Sequence, residues 1–297
     1  MFLKKLSVFV VLAAAGAGDS GAGLAARDLS PGADAVVRRP APDEEAAPSG
    51  GDAEISAFRR ALLDPARSER WLVNTIQGEV LLVVEKGYVD TAALDRFCAD
   101  LQEAVAGVPR LAGRDSRIRG RFTVYVYDRG PISRSGVRGV AAGERGLMLR
   151  FVKEGRDPLF HELTHLLAGT SGSQSLGEGI ADIVQSRARP GRASAFMRAG
   201  TDPDRNAAAA LAKYGEPFRA MIGAPGYPIR ITNDESRYDF YYCSWSFVKF
   251  LLARESLEEF WKVSDAGGAD DVYQRVYGLT RAELVRAWAE ETLCPRP

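Results

Sequence analysis

Residues 157–182 read DPLFHELTHLLAGTSGSQSLGEGIAD, a pattern that two helices separated by a glycine-containing turn account for. Asp157 suits a helix N-cap, Pro158 the first helical position, and Gly169 a C-terminal stop. On that first helix His161 and His165 lie four residues apart, hence on one face about one turn along the axis. Their imidazoles can share one zinc ion, and Glu162 between them is placed to take a proton from a water on the metal. The second helix, expected over 175–187, carries Glu178 thirteen residues after His165, and Asp182 four residues further on the same face. Two His and one Glu form a zinc ligand set of the catalytic kind, which leaves a fourth position to solvent. Asp182 is the expected acceptor for the other ring N–H of a ligating His, His161 first, which would fix that ring's tautomer. The chain holds only two histidines, and both lie in this motif.

The pair of segments, His161-Glu162-Leu163-Thr164-His165 and Glu178-Gly179-Ile180-Ala181-Asp182, resembles the gluzincin group of zinc metallopeptidases. Within that group it is most similar to the basic secretory protein and peptidase MA-like families, whose second segment also reads E-G-x-A-D. The resemblance runs from about Val73 to the C-terminus. It implies Zn2+ as cofactor, held by His161, His165 and Glu178, with Glu162 as general base and a peptide or protein as substrate. In gluzincins an edge strand above the metal pairs with extended substrate backbone. The resemblance assigns that role to Gly139, Val140, Ala141, Ala142 and Gly143, whose small side chains let a peptide approach closely. A gluzincin aminopeptidase also donates a Tyr hydroxyl to the oxyanion from a Y-x-x-G segment. Tyr241-Tyr242-Cys243-Ser244 is similar, with Ser244 in place of Gly, so Tyr241 is the first choice and Tyr238 and Tyr242 are the alternatives. The exopeptidase signature G-x-M-E-N is absent and residues 139–143 offer no acid to bind a free amino terminus, which points to cleavage of internal bonds. Two other classes fit the same motif: a zinc-bearing interaction module without hydrolysis, and a zinc hydrolase acting on something other than peptides.

Outside the motif the chain is ordinary for a globular protein of 297 residues, with 46% apolar and 26% charged residues. Lys+Arg and Asp+Glu are balanced at 39 each, so net charge gives no reason to expect nucleic acid or an anionic membrane as partner. Residues 1–26 read as a secretory signal peptide, with Lys4 and Lys5 ahead of a thirteen-residue apolar run from Leu6 to Gly18. That run is short against the roughly 20 residues needed to span a bilayer, so the expectation is a secreted or periplasmic monomer without stable membrane insertion. Residues 27–52, rich in Ala, Pro, Gly and acids, read as a flexible linker or short pro-segment. The catalytic domain is then 53–297, divided at about 169/170. Cys98, Cys243 and Cys294 permit one disulfide at most, with Cys243–Cys294 one possible pairing.

The periodicities imply an α+β fold: a small mixed sheet with helices, then the metal helix, then a mostly helical lobe, with the active-site cleft between the two lobes. Helices are expected over 55–63 and 90–105, and a buried strand over 79–86. Alternating Phe122, Val124 and Val126 suggest a half-exposed strand over 121–128, with Arg117, Arg119 and Arg121 as solvated positions near its start. A hairpin is expected over 136–152, leading toward the metal helix. Beyond Glu178 the expectation is almost entirely helical: 204–220, 238–254, 256–263, 269–277 and 280–292, the last opened by a Thr280/Glu283 capping box.

Overall fold

Five consecutive apolar residues, Val80 to Val84, make a strand with no side for solvent, and all five are buried. In the computed structural model, which describes residues 38–40, 53–118, 120–129, 146–169, 171–191, 201–226 and 234–293, this strand is the middle of a sheet. The five strands are Arg38–Pro40 (β1), Ser68–Thr75 (β2), Gly78–Glu85 (β3), Phe122–Val126 (β4) and Gly146–Leu149 (β5), in the order β1-β2-β3-β4-β5. The first two pairings are antiparallel and the last two parallel, so the sheet is mixed. The expected α+β class is what the chain adopts, with a largely helical region following the sheet.

One sheet face packs under helix Ala53–Leu62 (α1), through Phe58, Leu62, Leu81, Val83, Tyr125 and Met148. The other face packs against helix Thr91–Ala112 (α2), through Phe97, Leu101 and Val105. Because both faces are covered, β4 is buried at every position rather than half exposed. Arg117 near its start pairs with Asp265, and Arg121 with Glu79. The strand β2 was not expected, because its apolar run Trp71-Leu72-Val73 is short and framed by charge at Glu69 and Arg70. β5 runs parallel to β4; the first arm of the expected hairpin lies outside the described residues, and so do Gly139, Val140, Ala141 and Ala142. The expected signal peptide also lies outside them, whereas Arg38 within the 27–52 segment joins the sheet and stacks on Trp71 at 4.6 Å.

Helix α2 continues well past Val105, through Pro109, to a left-handed Gly113. Pro109 has no N–H for the Val105 carbonyl, and Gln77 Nε2 donates to that oxygen instead at 3.4 Å. The motif helix is short: Leu159–Leu163 (α3), followed by a wider π-helical turn over Thr164–Ala168. Thr164 Oγ1 donates to the Phe160 carbonyl at 2.7 Å, a side-chain bond that competes with the helical ladder where the pitch changes. Gly169, at φ 96°, ends it, as expected. Helices Gln174–Ala188 (α4), Pro203–Tyr214 (α5), Glu216–Met221 (α6), Asp234–Leu252 (α7), Leu257–Asp265 (α8), Asp270–Tyr277 (α9) and Arg281–Leu293 (α10) complete the chain. The helix expected over 204–220 breaks at Gly215, whose φ of 62° turns the chain just before Pro217. The capping box is formed: Thr280 N–H donates to Glu283 Oε2 at 2.8 Å, and Glu283 N–H donates back to Thr280 Oγ1.

One apolar core runs from Val73 on β2 to Ala289 on α10, and the described residues belong to one compact unit. Cys98 and Cys243 are buried and free, and Cys294 lies outside the described residues. Among the described residues no helix is long and apolar enough to cross a membrane.

Helices α4 and α7 approach each other closely at Gly179. A Cβ placed on Gly179 would collide with the Ser244 carbonyl oxygen and lie 2.5 Å from Val248 Cγ2. On Gly177 it would find its nearest neighbour at 3.6 Å. Helix propensity favours Ala over Gly by about 1 kcal/mol at either position, while overpacking a tight contact costs about 1–3 kcal/mol. Gly179→Ala is therefore expected to lower the melting temperature by up to about 8 °C, and Gly177→Ala to leave it unchanged or raise it. Thermal unfolding of the two variants side by side checks this; equal shifts would show that the α4–α7 contact is not the constraint.

Candidate metal centre

The short helix α3 presents His161, and the π-helical turn after it His165, toward α4, which returns Glu178 to them. His161 Nε2 lies 3.2 Å from His165 Nε2 and 3.1 Å from Glu178 Oε2. The third edge, His165 Nε2 to Glu178 Oε2, is 3.5 Å. These three donors form the group among the described residues that can hold a metal ion. His161 is 3% exposed, while the His165 and Glu178 side chains keep 12% and 17%. The triangle therefore opens to solvent on the side of His165 and Glu178 and is closed behind His161.

Behind it stands Asp182, 1% exposed, with Oδ1 2.8 Å from His161 Nδ1. This places a proton on Nδ1 and turns the Nε2 edge of the ring toward Glu178 and His165. Burial alone would lower the His161 pKa, but the charge and hydrogen bond of Asp182, then Glu178, outweigh it and hold the imidazole well above its ordinary value. For Glu178, burial pushes upward, and the adjacent His165 and His161 more than reverse it, holding the carboxyl well below the usual range. Burial pushes Asp182 up, against the pull of His161. The cluster is thus two imidazoles and two carboxylates that satisfy one another in a nearly closed space.

Glu162, on the same helix, is 3% exposed. Tyr241 on α7 has its ring centroid 6.5 Å from that of His161. Burial, followed by the nearby charges of Glu178, Glu162 and Asp182, raises its phenol well above 10, so at neutral pH it carries its proton. Of the alternatives, Tyr238 is exposed at 37% and Tyr242 is half-buried. His161, Glu162, His165, Glu178, Asp182 and Tyr241 are therefore brought together.

Two residues near this cluster were not anticipated. Arg237, one turn before Tyr241 on α7 and half-buried, brings a positive charge that pulls the Tyr241 phenol back down. Gln185 is buried, and its Oε1 accepts from the His161 backbone N–H at 3.1 Å. Its spacing from Glu178 and Asp182, seven and three residues, is the signal in the sequence that pointed to it. The chain matches no protein family, no curated protein and no solved structure.

Metal binding here requires His161 Nε2 to be free of its proton. Since Asp182 and Glu178 stabilise the protonated ring, a bound divalent ion must displace that proton, and affinity is expected to fall about tenfold per pH unit below the raised His161 pKa. In the metal-free protein the sign is opposite. The stability that His161 contributes is full below about 6.5, its unfolded value, and is lost as pH rises through the higher folded value. Melting curves across pH with and without a divalent ion check both: the ion should stabilise more at pH 8 than at pH 6, and His165→Ala should abolish the effect.

Proposed function

We propose that the protein is a secreted zinc-dependent hydrolase of peptide bonds, a metallopeptidase of the gluzincin type that cuts internal bonds of peptide or protein substrates. The donor triangle carries the reading. Zinc binds imidazole nitrogen at 2.0–2.1 Å and carboxylate oxygen at about the same distance, so two ligands at a tetrahedral angle stand about 3.3 Å apart. The edges of 3.2, 3.1 and 3.5 Å match that spacing. Two His and one carboxylate are the chemistry of catalytic rather than closed structural zinc sites, and the exposed side of the triangle supplies the entrance. When bound there, zinc acidifies a water and polarises a carbonyl.

The chain's own residues divide the remaining work. Asp182 holds the His161 ring through Nδ1, so that Nε2 points at the metal position. Glu162, on the helix between the two histidine ligands, accepts the proton of the attacking water and delivers it to the departing amine. Tyr241, kept protonated by its burial and the surrounding carboxylates, donates a hydrogen bond to the developing negative oxygen of the tetrahedral state. Burial of His161, Glu162 and Asp182 strengthens each of these interactions.

Glu162→Gln is expected to retain stoichiometric zinc and to lose about 10²–10⁴-fold in kcat, while Tyr241→Phe should lose about 10²–10³-fold with zinc retained. Metal analysis and hydrolysis of denatured protein and of a peptide library, with and without a chelator, check this. A Glu162→Gln protein as active as wild type, or activity indifferent to the chelator, would overturn the reading. Zinc retained with no hydrolysis in the wild type would point to an interaction module instead.

A further inference from the structure

Three residues on α4, Glu178, Asp182 and Gln185, fall at i, i+4 and i+7 and so share one face. Each touches a different atom of His161: Glu178 the ring Nε2, Asp182 the ring Nδ1, Gln185 the backbone N–H. From this geometry we infer that Gln185 is a positioning residue for the metal centre, fixing the backbone at His161 so that both ring nitrogens meet their partners. The inference rests on the zinc reading proposed above.

The physical need comes from the helix itself. The first N–H groups of a helix have no partner within it. In α3 one is met by Asp157 Oδ1, a long 3.3 Å contact to Leu159 N, and the helix's own first bond runs only from Glu162 N to the Pro158 carbonyl, at 2.9 Å. The cap position, Pro158, has no side-chain hydrogen bond of its own. His161 N–H is capped from the opposite helix by Gln185. A helix of five residues before a change of pitch has little rigidity of its own, so a bond to its middle residue sets where that residue sits relative to α4. Asp182 fixes the rotation of the ring and Gln185 the position of its stem. With Gln185 removed the ring keeps its tautomer, but its distance from Glu178 and His165 is no longer held.

The experiment compares zinc affinity, by competition with a chromophoric chelator, and zinc release rate in the full chain and three variants. Gln185→Leu, which removes the acceptor, is expected to bind zinc about 10–100-fold more weakly and release it faster. Gln185→Glu keeps an oxygen acceptor at the same reach and is expected to bind within about threefold of wild type. Gln185→Asn withdraws the amide by one methylene and should resemble Leu, which keeps the test open should Leu fold poorly. Melting of the metal-free variants, recorded alongside, separates a loosened fold from a displaced ligand. Rescue by Glu with loss in Leu and Asn supports the assignment. Wild-type affinity in Gln185→Leu, or equal loss in Leu and Glu, overturns it. A wild-type chain that takes up no zinc at all would instead sink the peptidase reading, and this one with it.

Discussion

His161 is held at three atoms by one face of α4, and this grip is the constraint on which the arrangement of the site depends. An imidazole and two carboxylates are taken out of water together, at a desolvation cost of several kcal/mol per ion. That cost is tolerable only while each group keeps its partner. Losing one member leaves an uncompensated buried charge, a penalty of about 3–5 kcal/mol in comparable cases. The cluster therefore locks α3 to α4 in a single relation, and does so before any metal is considered. A bound cation would take over from the His161 proton as the counter-charge to Glu178, so metal and proton compete for one prearranged space.

The same helix makes its second demand on the opposite side. Glu178 and Gly179 are neighbours in sequence with different duties: the carboxylate reaches the histidines, and the bare α-carbon lets α7 approach. A side chain at 179 would push away the helix that carries Tyr241 and Arg237. The glycine after the ligand is thus a distance setting. It controls how near the phenol of Tyr241 comes to His161. Ser244, standing where the resembling segment has Gly, fits because it is its backbone carbonyl that meets Gly179.

Much of this was readable in the chain because the signals were local. Helical spacing put His161 with His165 and Glu178 with Asp182; turn chemistry put stops at Gly169 and a cap at Thr280. What escaped depended on partners far away in sequence. Nothing local shows that α1 would cover the second face of β4, so a strand that alternates like a half-exposed one is buried throughout. Helix α2 outlives its proline because Gln77, on the turn between β2 and β3, satisfies the carbonyl that Pro109 cannot. Gln185 was passed over for a different reason: an uncharged amide lacks the chemical distinctness of His or Glu, although its spacing was on view.

Glu162 offers the strongest physical reason to regard the site as more than an ion-pair cluster. It stands outside the donor triangle, yet it is 3% exposed. A carboxylate withdrawn from water in this way carries a desolvation cost that its interactions must offset. A sequence otherwise consistent from level to level departs from that consistency at sites where chemistry demands it. Under the proposed function that departure is Glu162, which follows His161 directly and is buried beside the donor triangle to carry a proton.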